Sequence, residues 1–221
     1  MTNDIMVRET AKLLSWLRAW DEQTYQHSLR TAGYAFQIAS QMHMAWQDRR
    51  DLLVAATLHD IGKRTIPQRV LRKSGKLTDE EYRLIREHAE AGSRILRAHG
   101  FPERICDAVR DHHEQPDGNG YRGCAQPAKY ADIIRVADCL DVMFSGRSYQ
   151  KPKTREQVEE DLKKNAGKSM AKPAVDAALR TYFISAAAHK RKTEKDRHPR
   201  SFFCDQKVLS AKNRFRKHST Y

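Results

Sequence analysis

Apolar side chains recur every three to four positions along nearly the whole chain, and no stretch alternates long enough to predict a strand. Leu13, Leu17 and Trp20 share one face of a helix predicted near 6–20, and Tyr34, Ile38 and Met42 share a stripe on another over about 22–45. Asp48 reads as the N-cap of a third helix that ends by Gly62. Thr78 and Glu81 form a T-x-x-E capping box, so a helix is predicted from there to about His99, stopped by Gly100. Pro102 suits a first helical turn, after which Ile105, Val109 and His112 follow at intervals of four and three. The Pro- and Gly-containing segment 115–127 reads as a loop. Helix returns at about 129–144, where Ile134, Asp138 and Asp141 line one face. Thr154 with Gln157 opens another helix, and Pro173 a last one to about Lys190. The fold class expected is all-α, a helical bundle.

Composition sets this bundle apart from the C-terminal residues beyond it. The 221 residues carry a net charge of +13, a length that suits one domain plus an appendage. Residues 1–150 account for only +2 of that charge and residues 151–221 for +11, of which +8 lies in 190–221. Basic character therefore belongs to the tail, which reads first as a solvated terminus and second as a contact for nucleic acid or anionic lipid. Cys106, Cys124, Cys139 and Cys204 have no C-x-x-C spacing, and Lys12 and Arg18 interrupt the N-terminal apolar positions. Reduced thiols, no signal peptide and a cytoplasmic location are expected.

The chemistry is concentrated in His59-Asp60, at the end of the apolar run 52–58. Imidazole beside carboxylate makes a mixed N/O donor set for a divalent first-row metal. His27 lies upstream; His88, the doublet His112-His113 and Asp138 lie downstream, each in or beside a helical segment. Taken singly, each histidine reads as a solvated or core side chain; five of them in order with Asp60 and Asp138 do not. His43, His99, His189, His198 and His218 keep the ordinary reading.

These tracts resemble the HD-GYP family of the HD phosphohydrolase superfamily. They are His27-Ser28-Leu29-Arg30, His59-Asp60-Ile61-Gly62-Lys63, Lys76 to Glu81 leading to His88, His112-His113-Glu114, Asp117-Gly118-Asn119-Gly120-Tyr121, and Ala137-Asp138 through Asp141 to Arg147. The resemblance covers about 22–183. It implies an HD-domain helical bundle with a bimetal or trimetal centre that hydrolyses cyclic di-GMP as the output of bacterial signalling. The domain limits expected are 1–21 for an N-terminal helix, 22–189 for the HD-GYP-like catalytic domain and 190–221 for the basic tail.

In that family's terms His27, His59, Asp60 and Asp138 hold one ion, Asp60 bridges to a second, and His88, His112 and His113 complete the second site. A two-metal-activated hydroxide then attacks the phosphodiester in line. Lys63 is implied in catalysis or phosphate orientation, and Arg147 in holding substrate phosphate. Asp141 is implied as a supporting carboxylate, with a helix-surface charge as the competing reading. Asp111, Glu114 and Asp117 read as surface, helix-end or ligand-supporting carboxylates.

Several positions depart from the family. Gly120-Tyr121-Arg122 stands in place of Gly-Tyr-Pro, which places Gly120, Tyr121 and the new cation Arg122 at the expected substrate mouth. The stretch from Tyr121 to Asp138 is shorter than usual, and Arg147-Ser148-Tyr149-Gln150 replaces Arg-Pro-Tyr-Arg. Gln23 stands where trimetal members carry a glutamate, so two ions are expected, with iron or manganese fitting best and zinc as a further option. Cyclic di-GMP is the first substrate reading and another cyclic dinucleotide the second. The alternative functions are a catalytically weak cyclic-nucleotide-binding or adaptor protein and an HD phosphohydrolase acting on mononucleotides. Input is expected from a signalling protein partner, the N-terminal helix or the tail, and a homodimer is a further partner reading.

Overall fold

The computed structural model describes residues 1–146 and 151–184. Ten α-helices run through them: α1 Asn3–Trp20, α2 Glu22–Gln41, α3 Trp46–Leu58, α4 Gln68–Leu71, α5 Asp79–Arg86, α6 His88–Ala98, α7 Glu103–Asp111, α8 Ala131–Ser145, α9 Arg155–Asn165 and α10 Lys172–Leu179. A 3₁₀ turn, Ile61–Thr65, follows α3, and a π turn, Arg180–Ile184, follows α10. Among the described residues the sole β feature is an isolated bridge between Ala166 and Met170. The all-α expectation is borne out, while the basic tail lies outside the described residues.

Helix α2 is the central strut, packed on α3 along one side and α8 along another. Its buried face is built from small residues, Ala32, Ala35 and Ala39, around Ile38. Opposite them in the same core lie Leu52, Ala55, Ala56 and Leu58 of α3 and Ile133, Ile134, Val136, Ala137 and Leu140 of α8. Short side chains let the backbones approach closely, which brings the ends of these helices into reach of one centre. Helices α6 and α7 pack together, α6 against the 3₁₀ turn and α7 against α3.

Local chemistry sets the joints. Asp21 closes α1 and caps α2, its carboxylate accepting from the Thr24 amide at 2.9 Å. The last carbonyls of α1 are received downstream: Arg64 donates to Trp16, and Gln68 and Arg72 both donate to Trp20. Both predicted capping boxes, Thr78/Glu81 and Thr154/Gln157, are formed.

Three boundaries differ from expectation. Helix α2 ends at Gln41, with His43 in the left-handed region at φ 53°. Asp48 is not a cap, because its carboxylate is taken by the Tyr130 hydroxyl and Lys129, each at 2.8 Å, and α3 begins at Trp46. The helix expected from Thr78 to His99 is interrupted at Glu87, so that His88 opens a new element. None of the described helices is long and apolar enough to cross a membrane.

Candidate metal centre

Five segments deliver side chains to one point. His27 comes from α2, His59 and Asp60 from the junction of α3 with the 3₁₀ turn, His88 from the start of α6, His112 and His113 from the end of α7, and Asp138 from α8. His59, Asp60, His88 and His112 are at most 1% exposed. His27 Nε2 lies 3.0 Å from Asp138 Oδ1 and 3.6 Å from Asp60 Oδ2, and His59 Nε2 lies 3.3 Å from Asp60 Oδ2. The other oxygen of Asp60, Oδ1, lies 3.3 Å from His88 Nε2, which in turn is 3.2 Å from the Nε2 atoms of both His112 and His113.

Each of four rings is aimed by its far nitrogen. His59 Nδ1 donates to the Ala56 carbonyl at 2.8 Å, His88 to Ile85 at 2.5 Å and His112 to Val109 at 2.6 Å, in every case three residues back. A carbonyl only accepts, so it fixes the proton on Nδ1 and leaves a lone pair on Nε2. His27 is aimed by Asp141, whose Oδ2 accepts from Nδ1 at 2.7 Å while Arg30 holds the same carboxylate at 2.6 and 3.0 Å. The lone pairs of His88 and His112 therefore face each other at 3.2 Å, and that of His59 faces a carboxylate oxygen at 3.3 Å. Acceptors opposed in this way repel unless a cation lies between them, and three overlapping triads have ligand atoms within 4.8 Å: His27/His59/Asp138, His59/Asp60/His112 and His88/His112/His113. This donor set fits divalent metal.

Protonation follows the same division. Burial pushes His88 down to about 4 and, with the neighbouring His88, His113 down to about 3; His112 is also held well below the ordinary imidazole value. Burial alone would lower His27 too, but hydrogen bonds to Asp138 and Asp141 raise it to about 9. Burial would raise Asp60 and Asp138, yet Lys63 beside the first and His27 beside the second hold both well below the carboxylate range.

Lys63 reaches back from the 3₁₀ turn to Asp60 Oδ2 at 2.6 Å. The turn itself can sit there because residue 62 is glycine: a Cβ would meet the His88 carbonyl oxygen at 1.9 Å and the Gly92 nitrogen at 2.5 Å. Gly120 is equally constrained, its Cβ position lying 2.5 Å from Glu114 Cα. Glu114 is buried and accepts from the amides of Arg122 at 2.8 Å and Cys124 at 2.7 Å, so it anchors the loop from within.

Arg122, expected as a substrate cation, has another engagement. Its guanidinium pairs with buried Asp111 at 2.7 Å, and its amide, which a proline would lack, is the donor to Glu114. Asp111 and Glu114 thus support the loop, and the oxygen partners of His59, His88 and His112 are main-chain carbonyls. Tyr121 lies on the centre itself, its ring 4.3 Å from that of His113. Asp141 is resolved in favour of the supporting role, being buried against His27. Arg147 lies outside the described residues. The motifs assign no role to Arg30 or Arg86; Arg30 is legible from its position one turn after His27, whereas Arg86 meets the loop 35 residues away.

The chain belongs to the HD domain family, whose model matches residues 24–143. The resemblance drawn from the motif tracts is borne out by its relatives. The chain is 33% identical over 195 residues to a cyclic di-GMP phosphodiesterase of Thermotoga maritima, covering 86% of this chain and 52% of that protein. It is 31% identical over 185 residues to the 3′3′-cGAMP-specific phosphodiesterase 2 of Vibrio cholerae, covering 78% of this chain and 35% of that one. The chain thus spans about half or less of these relatives. The same fold is present in the HD domain of the L. monocytogenes phosphodiesterase PgpH in complex with cyclic-di-AMP, at a TM-score of 0.61 and 18% identity, over 85% of this chain and all of that one.

Proposed function

We propose that the chain is a metal-dependent phosphodiesterase that opens a cyclic dinucleotide, cyclic di-GMP first, to the linear dinucleotide. The observation that carries this is the division of Asp60: one oxygen faces His27 and His59, the other faces His88. His27, His59, Asp60 and Asp138 would hold one ion, and Asp60, His88, His112 and His113 a second. Two such ions would activate a water as nucleophile and would neutralise the negative charge that builds on the phosphoryl oxygens during in-line attack.

The chain's own groups do the rest. Asp141 and the three carbonyls keep the imidazoles in register. Lys63, tied to Asp60, places an ammonium beside the bound phosphate. Arg147 is proposed as a second phosphate cation, suited by its guanidinium fork. Gly120 and Tyr121 bring the loop over the centre. Reduced Cys106 and Cys124 suit action in the cytoplasm. Iron or manganese is the expected occupant.

Elemental analysis of anaerobically purified protein should give about two metal equivalents per chain, and chromatography should show linear dinucleotide formed from cyclic di-GMP. Asp60→Ala should abolish both. Full turnover by protein with one ion or none, or by Asp60→Ala, would overturn the reading.

A further inference from the structure

Four of the five centre histidines are aimed by an oxygen on Nδ1, whereas His113 Nδ1 has no hydrogen bond to a described residue. Something else must orient that ring. Tyr121 lies against it with centroids 4.3 Å apart and planes tilted by 32°, and stands perpendicular to the His88 ring at 6.2 Å. On Tyr121 stands Arg86, its guanidinium 4.9 Å from the ring centroid and donating as well to the Tyr121 carbonyl oxygen. Arg86 differs from the other arginines near this loop. Arg83 pairs with Glu80, Arg110 with Asp107 and Asp111, and Arg122 with Asp111, while Arg86 has no carboxylate within ion-pair distance among the described residues. Its charge is left for the aromatic face and the carbonyl, a half-buried cation–π contact.

We propose that Arg86 is a positioning residue: through the ring and carbonyl of Tyr121 it fixes His113, and so sets how firmly the ion on the His88/His112/His113 side is held. This rests on the two-ion reading above. The loop can transmit the restraint because both neighbours of Tyr121 are fastened. Gly120 sits against Glu114 with no room for a side chain, and the Arg122 amide is bonded to the same carboxylate. Tyr121 thus cannot slide along its own chain, and Arg86 removes the rotation that remains. The cation also makes the outer face of the ring the poorer place for a substrate base to stack.

The test compares the full chain, loaded with zinc, as wild type, Arg86→Met, Arg86→Lys, Tyr121→Leu and Tyr121→Phe. Two quantities are read: the ring NMR resonances of His113 against those of His59, and the rate at which each zinc equivalent passes to a chelator. Arg86→Met and Tyr121→Leu should shift or broaden His113 while leaving His59 in place. Each should release one equivalent roughly 10- to 100-fold faster, the range for lost support of a metal-bound imidazole, with the other unchanged. Arg86→Lys, which keeps the cation, should recover part of the loss, and Tyr121→Phe, which keeps ring and carbonyl, should match wild type. The double variant Arg86→Met/Tyr121→Leu should be no worse than Tyr121→Leu alone, as for residues acting in series. An unmoved His113 in Arg86→Met, or both equivalents loosened alike, would overturn the assignment. Wild type holding a single ion would sink the two-ion reading instead, and His113 would still report on the clamp.

Discussion

His27 and the histidines across the centre stand in opposite protonation states. Held by Asp138 and Asp141, His27 is raised to about 9 and so is protonated at neutral pH, while His88 and His113, lowered to about 4 and about 3, are neutral. An ion that takes His27 Nε2 must displace its proton, whereas the other two give up none. Loading at about pH 7.5 should therefore release the His27 proton in addition to the one given up by metal-activated water, about two per chain, read by calorimetry in buffers of different ionisation enthalpy. The sign follows from the raised value: affinity on the His27 side rises as pH climbs toward about 9 and weakens below it, well before His88 or His113 could compete for a proton. Uptake that is indifferent to buffer would contradict this. Asp141→Ala removes the acceptor that aims His27 and leaves Arg30 without its partner. Chelator competition should show that side of the centre weakened about 10- to 100-fold. The roles of Asp141 and Arg30 were partly legible at this scale, since helical spacing puts Arg30 one turn from His27. Arg86 was not, because a contact across 35 positions leaves no trace in local pattern.

Helices were legible where propensity, periodicity and capping agreed. Thr78 and Thr154 each form the box their neighbours announce, and the loop at 115–127 falls where Pro and Gly placed it. The failures are tertiary overrides. Asp48 has the right chemistry for a cap, but Tyr130 and Lys129 claim its carboxylate. The break at Glu87 coincides with His88 donating to the Ile85 carbonyl, a bond that serves the centre rather than the helix. Chain direction after α3 depends on Gly62, where an added methyl would overlap the His88 carbonyl. Gly62→Ala should destabilise the protein by about 1–3 kcal/mol, as overpacking does, and lower its metal content. Denaturant midpoints and elemental analysis measure the two, and an unperturbed variant would show that the turn and α6 can part freely.

Across the whole molecule, side-chain contacts position the loop, while main-chain packing sets the spacing of the centre. Similar chains are named for action on cyclic di-GMP and on 3′3′-cGAMP, so substrate choice varies around an HD centre. Arg122→Pro would restore the family's tripeptide yet delete the amide bond to Glu114 and the ion pair with Asp111. It should change kcat/KM for one cyclic dinucleotide against the other by about tenfold, equivalent to ~1.4 kcal/mol, and, by unfastening one neighbour of Tyr121, speed release of the ion on the His88/His112/His113 side while the His27 side is unchanged. Equal kinetics on both substrates would leave the loop without a part in selection. The Gly62 seam explains why such drift is tolerable. Side chains at the mouth meet through contacts such as Arg122 with Asp111 and Arg86 with Tyr121, which substitution and rotamer change can rearrange. The separation between His59-Asp60 and His88 is instead set by two stretches of main chain lying directly against each other, a dimension that no rotamer can lengthen and no side-chain substitution at the rim can shorten. Specificity is thus free to wander over the rim while the gauge of the centre stays fixed.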